Sequence, residues 1–310
     1  KAILALDEAI KLDPKFADAY ALRGFALVVQ GKYELAVAEF TKAIKLRKND
    51  AVYYLGRAWA QNELGRPDDV IADCTQAIKI DPTEYEAYRL RASAHSEKEE
   101  FDAAVSDASQ AISLNPARAD AFVERGYAYA GKKDVDAAIK DFSEAIRLDP
   151  ESFLAYYGRG RQYHEKKDYA SAIRDYSSAI KLAPDYAGTY FMRALANDDN
   201  GDQEAAIRDY SDAIRLKPDY WEAYNNRGLI RQNRNEHEAA ISDFNAAIAV
   251  TDKDPAPFLN RGRSMIELRR YADAINDYDQ ALKLEPNDAT SLFYRAYAHG
   301  KLVVHRDIKP

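Results

Sequence analysis

The sequence predicts an all-α solenoid of antiparallel helix pairs, and three observations carry that prediction. Proline stands at 14, 82, 116, 150, 184, 218 and 286, every interval a multiple of 34 residues. Ten residues after each of these sites, and after the two members without proline at Lys48 and Asp252, comes a small residue: Gly24, Ala58, Ala92, Gly126, Gly160, Ala194, Gly228, Gly262 and Ala296. Each interval reads as two helices of 3.6-residue apolar periodicity. An unbroken period of this length marks a stacked array, in which each unit buries its apolar face against its neighbours.

The first helix of each interval carries a larger side chain four residues before the small position. It is Tyr20, Tyr54, Tyr88, Phe122, Tyr156, Tyr190, Tyr224 and Phe258, with Leu292 in the last. Residues four apart share a helical face. The second helix carries Ala36, Val70, Ala104, Ala138, Ala172, Ala206, Ala240 and Ala274, and seven residues further on an alanine series from Ala43 to Ala281. Between them stands a larger group, such as Phe40, Phe142, Tyr176, Tyr210, Phe244 or Tyr278. Small residues let two helix axes approach, and the rings fill the space beside them. The proline cannot continue the hydrogen-bond ladder and stops the second helix. Cys74 and Ala108 replace the second ring, so the second and third units are expected to pack less fully.

This pattern of aromatic, small residue, alanine, aromatic, alanine and proline resembles the tetratricopeptide repeat family. The match covers eight units, 17–50, 51–84, 85–118, 119–152, 153–186, 187–220, 221–254 and 255–288. Residues 1–16 then form the second half of a truncated repeat, 289–300 the first helix of a ninth, and 301–310 a tail outside the pattern. The Asp-aromatic and Arg-Gly character of the units resembles bacterial members. The resemblance implies a right-handed superhelical sweep, first helices lining a concave groove, a protein or peptide partner and no catalysis.

Carried onto this chain, the groove positions implied by the family are Phe25, Leu55, Trp59, Arg89, Val123, Tyr127, Tyr157, Arg161, Phe191, Leu195, Asn225, Leu229, Leu259 and Arg263. Apolar groups at that spacing with a few arginines suit an extended peptide or a helix. The competing reading is that some of them pack between neighbouring units. Chaperone-binding members grip a terminal carboxylate with lysines and asparagines, and no such cluster stands here. Members attached to a sugar transferase carry asparagine two residues before the small position, which here reads Leu22, Gly56, Leu90, Glu124, Gly158, Met192, Asn226, Asn260 and Tyr294. Asn226 and Asn260 remain as candidates to clamp a peptide backbone, since an amide both donates and accepts.

Arginine precedes the small position in every unit, from Arg23 to Arg295, and an acidic residue recurs in every second helix: Glu39, Asp73, Asp107, Asp141, Asp175, Asp209, Asp243 and Asp277. Two readings are open. One is a structural ion pair repeated down the array, so that Asp175→Ala should destabilise its unit. The other is an arginine track for acidic ligands, which matched carboxylates would neutralise.

Composition narrows the function further. The chain has 310 residues, 44 basic against 51 acidic side chains and a formal net charge of −7. No nucleic-acid role is expected, because phosphate binding needs a concentrated positive field. No apolar run approaches the roughly 20 residues that span a bilayer, so no membrane contact is expected. The single cysteine, Cys74, forms no internal disulfide, which favours a cytoplasmic setting. His95, His164, His237, His299 and His305 have no metal-ligand spacing, and neither a metal nor a cofactor is expected. Gly158-Arg159-Gly160 mimics part of a dinucleotide loop but falls inside a repeat helix.

His305-Arg306-Asp307-Ile308-Lys309-Pro310 resembles the catalytic loop of protein kinases, with Val303-Val304 fitting the strand that leads into it. In that family the residue matching Asp307 handles the substrate hydroxyl proton and the one matching Lys309 contacts phosphate. The glycine-rich loop and strand lysine that should precede are replaced by repeats, so kinase activity is not expected of this chain. The alternative function is therefore a docking or regulatory repeat region of a larger serine/threonine-kinase-bearing protein, or else the tail is a join between two sequences. Lys1 enters in mid-helix, which adds to the expectation of a fragment whose uncapped ends self-associate.

Overall fold

The protein is described from a computed structural model, which covers the backbone of residues 2–307 and the side chains of residues 2–304. In chain order the helices are α1 Ala2–Leu12, α2 Ala17–Val29, α3 Tyr33–Leu46, α4 Ala51–Glu63, α5 Pro67–Ile80, α6 Tyr85–Glu97, α7 Phe101–Leu114, α8 Ala119–Gly131, α9 Val135–Leu148 and α10 Phe153–Glu165. They continue with α11 Tyr169–Leu182, α12 Ala187–Asp199, α13 Gln203–Leu216, α14 Trp221–Asn233, α15 His237–Val250, α16 Ala256–Glu267, α17 Tyr271–Leu284 and α18 Ala289–Asp307. No strand occurs among the described residues. The chain divides into two compact units, Lys1–Lys166 with α1 to α10 and Lys167–Pro310 with α11 to α18.

Inside each unit every second helix packs against its own first helix and the next one. Successive first helices also touch, α2 to α4, α4 to α6, α6 to α8 and α8 to α10 in the first unit, α14 to α16 and α16 to α18 in the second. No comparable contact joins second helices among the described residues, so the first helices take the inner side of each unit's curve.

The packing follows from ring-into-glycine contacts. Phe40 is fully buried between Gly24 of its own repeat and Gly56 of the next, where an added Cβ would overlap the ring. Phe142 sits the same way between Gly126 and Gly158, with a Gly158 Cβ falling 2.6 Å from the ring. Cys74 and Ala108, which replace the second ring, are both fully buried. Beside Cys74 the next repeat supplies bulk: Leu90, 3 % exposed, stands at the position of Gly56 and packs in one core cluster with Cys74. Burial pushes the Cys74 thiol up to about 12, so it behaves as a core side chain and not as a nucleophile.

The turn inside each hairpin reverses through one left-handed residue: Gly31, Gly65, Glu99, Lys133, Lys167, Gly201, Asn235 and Arg269 all have φ between +58° and +86°. At Lys133 the following amide, Asp134 N–H, donates back to the Tyr129 carbonyl at 2.9 Å, the wrapped bond of a Schellman cap. A lysine there pays for a conformation that glycine adopts freely. Lys133→Gly is therefore expected to raise stability by about 0.5–1 kcal/mol. An unchanged or lower urea midpoint would contradict this.

On the outer edge a second series crosses the repeats: Lys98 to Asp68, Lys132 to Asp102, Lys166 to Asp136 and Arg234 to Glu204, at 2.5–2.6 Å. These pairs are exposed and contribute little. No described helix is long and apolar enough to cross a membrane. α18 runs beyond residue 300 to Asp307, with Val303 and Val304 exposed on it. The strand expected for Val303-Val304 is replaced by helix, since a strand needs a sheet neighbour to bond its backbone. Ile308, Lys309 and Pro310 of the loop-like sequence lie outside the described residues.

Candidate functional site

The repeated arginines resolve first. Arg57, Arg91, Arg125, Arg193, Arg227 and Arg261 each place Nε and Nη2 on the two oxygens of the carboxylate sixteen residues ahead, Asp73, Asp107, Asp141, Asp209, Asp243 and Asp277, at 2.6–3.1 Å. Arg23 does the same less symmetrically, with both nitrogens on Glu39 Oε2 and Nη1 on Asp7. The third nitrogen, Nη1, reaches the residue sixteen behind: Thr41, Thr75, Ser109, Ser143, Ser177 and Ser211 from Arg57, Arg91, Arg125, Arg159, Arg193 and Arg227, at 2.8–3.1 Å. Four of these hydroxyls donate to the carbonyl four residues earlier, as Thr41 does to Val37 and Ser211 to Ile207, which leaves a lone pair for the arginine. Each guanidinium also lies 5.5–5.9 Å from the centre of the aromatic ring three residues before it, as Arg193 does over Tyr190.

The carboxylate bond holds Arg57, Arg91 and Arg125 above the ordinary arginine value. At Asp277, 1 % exposed, burial outweighs Arg261 and raises the carboxyl. That rung contributes most below the ordinary carboxylate pKa and less as pH rises through the raised one. The arginines are thus fastened inside the hairpins, which favours the structural reading over a ligand track. Asp175 is buried at the corresponding place in its own helix.

The inner face of the first unit carries a distinct feature. Phe25, Leu55, Trp59 and Arg89, four of the groove positions implied by the family resemblance, line one open cleft of about 460 Å³. Val52, Gly56, Glu86, Leu90 and Arg118 complete it. Phe25 is held edge-on to Phe40, 4.8 Å between ring centres, and Trp59 remains 49 % exposed. Arg89 and Arg118 close the far end: Arg89 meets Glu86 at 2.9 Å, Glu124 at 3.3 Å and Asp120 at 3.6 Å, while Arg118 meets Glu86 at 2.6 Å and Asp120 at 2.5 Å. Burial pushes the Glu124 carboxyl up, with Arg89 opposing it. Val52, Leu90 and Arg118 were not among the expected positions; they recur at other places of the 34-residue frame, and only the spacing between helices shows that they share the cleft.

The other groove positions scatter. Tyr127 packs edge-on against Phe142 at 5.1 Å and donates to the Leu154 carbonyl, Tyr157 stacks with Phe153 at 5.8 Å, and Arg161 is exposed. Phe191 and Leu195 are half-buried against the core of the second unit, as is Leu259. Leu229 and Arg263 border a separate polar pocket of about 360 Å³ with Gln232, His237 and Tyr294, where Arg263 donates to Tyr294 at 3.2 Å. Val123, Asn225 and Asn260 do not lie open. Val123 is 6 % exposed within the core, and Asn260, 6 % exposed, donates to Asn225 at 3.0 Å, tying α16 to α14. Asn226 is half-buried and weakly bonded to Tyr210 at 3.5 Å.

Among the described residues no group of three histidine, cysteine or carboxylate side chains is placed to hold a metal. Family models described as tetratricopeptide repeat match residues 1–51, 26–85, 89–153, 133–187 and 222–254, and one described as TPR repeat matches 199–234 and 262–303. The chain belongs to the tetratricopeptide repeat family. Among curated proteins none matches it. Solved structures share the tetratricopeptide fold at low identity. A chain of the APC/C hetero-tetramer Cut9–Hcn1 superposes with a TM-score of 0.59 at 17 % identity over 95 % of this chain, which spans only 58 % of that one. PilF of Pseudomonas aeruginosa gives 0.58 at 18 % over 69 % of this chain and 94 % of its own. A tetratricopeptide repeat protein of Parabacteroides merdae gives 0.56 at 15 % over 80 % and 98 %. Tetratricopeptide proteins are in general non-catalytic scaffolds for protein partners.

Proposed function

We propose that this tetratricopeptide scaffold holds a peptide segment of its partner on the inner face of the first helices, with the cleft between Phe25, Leu55, Trp59 and Arg89 as the principal contact. One observation carries this reading: apolar side chains from α2, α4 and α6 converge on an open cleft and leave a tryptophan half exposed. An exposed large aromatic in a concave, mostly apolar setting is the kind of residue that anchors binding, because its burial by a ligand removes much apolar area from water. Tyr127, Tyr157 and Arg161 extend the same face within the first unit. Phe191, Leu195, Asn226, Leu229, Leu259 and Arg263 are the corresponding candidates in the second.

The test is a peptide panel titrated against the protein and its Trp59→Ala variant. Peptides that bind the parent are expected to lose at least about tenfold in affinity. The melting temperature should hardly move, since Trp59 contributes little to the core. Equal binding by the variant would remove the cleft from the function.

A further inference from the structure

The charges around the cleft are uneven, and they specify its occupant more closely. At the far end Arg89 and Arg118 are already matched by Glu86, Asp120 and Glu124, three carboxylates to two guanidinium groups. At the opposite end, one helical turn beyond Trp59, stands Glu63, and at the equivalent place in α6 stands Glu97. Both are exposed, and neither makes an ion pair among the described residues. Glu165 repeats the position in α10. The cleft thus has an apolar floor, and two exposed carboxylates without ion-pair partners follow it along α4 and α6, Glu63 on the face of Trp59, in a chain with a net charge of −7.

We propose that the segment bound there pairs an apolar anchor with a lysine or arginine, the anchor on Trp59 and the cation between Glu63 and Glu97. This rests on the cleft being the binding site. Four residues of helix separate Trp59 from Glu63, a rise of about 6 Å. An extended peptide advances about 3.3 Å per residue, so the cation falls about two residues from the anchor. An acidic segment meets repulsion at the Glu63 and Glu97 edge and finds no free cation at the other, since Glu86 and Asp120 already pair with both arginines. The carboxylates also steer a cationic segment toward the cleft, an effect that salt removes.

The experiment follows Trp59 fluorescence in the full chain carrying Trp221→Phe, which leaves Trp59 as its single tryptophan. Three short peptides share one phenylalanine and differ two residues away, with lysine, glutamine or glutamate. The lysine peptide is expected to bind about tenfold more tightly than the glutamate peptide at low salt. That gap should close in the doubly substituted Glu63→Gln, Glu97→Gln protein and in high salt. Circular dichroism checks that this variant, altered only at exposed positions, keeps its fold. Equal affinities for the three peptides, or a gap that survives the double substitution, would overturn the charge preference while leaving the cleft as a binding site. If no peptide alters the Trp59 signal, the cleft is not the site and the preference falls with it.

Discussion

Asp243→Ala is expected to cost about 3 kcal/mol, the range found when a buried ion pair loses one member. Asp243 is 3 % exposed and carries two arginines: Arg227 at 2.7 and 3.1 Å, Arg231 at 2.8 Å. Removing it leaves two guanidinium groups, mostly out of water, with no carboxylate between them. The same pair can be dispensed with as a whole. Leucine at 227, 231 and 243 together removes every charge at once, and replacing a buried ion set by packed apolar groups is often neutral. The triple variant is therefore expected to recover most of what Asp243→Ala loses. Because each repeat contacts only its neighbours, the loss should be local. Hydrogen exchange should quicken in α14 to α16 and hardly change in α2 to α5. A urea midpoint unmoved by Asp243→Ala would show that the ladder is surface decoration.

Much of this ladder was legible in the sequence, and the part that was not has a physical reason. Arginine and aspartate announce themselves by charge and by a fixed sixteen-residue offset. The third member, the hydroxyl of Thr41, Thr75, Ser109, Ser143, Ser177 and Ser211, repeats with the same period but carries no charge to draw attention. The hairpin turn has no constant residue signature, since Gly31, Glu99, Lys133 and Asn235 share only a backbone angle, with returning hydrogen bonds around it. Groove positions were read from one helix at a time. Which of them stay open depends on how close the next first helix comes, and that distance buried Val123, Asn225 and Asn260 while leaving Trp59 exposed. Cys74 shows a related effect: the ring and the position that accommodates it belong to different repeats, so Leu90 of the next repeat packs beside the smaller side chain.

That exchange between repeats gives the second large effect. Gly56→Leu should cost about 3 kcal/mol, because Phe40 fills the space above Gly56 and, being fully buried, has nowhere to turn. Phe40→Cys alone should cost a similar amount by opening a cavity the size of a phenyl ring. The sequence already contains the combination of the two, in Cys74 with Leu90 one repeat later. Joining Gly56→Leu to Phe40→Cys is therefore expected to restore most of the stability, with a favourable coupling of 2 kcal/mol or more, roughly the upper range for residues in contact. A double-mutant cycle by chemical denaturation measures this directly, and additive losses would show that the two positions do not share one volume. The outcome also bears on the cleft, which Gly56 helps to line. A leucine there would narrow the floor beneath Trp59, so the restored double variant should fold normally and bind apolar peptides more weakly than the parent. Stability and binding would then separate in one protein, as they should where the same residue both admits a neighbour's ring and leaves room for a ligand.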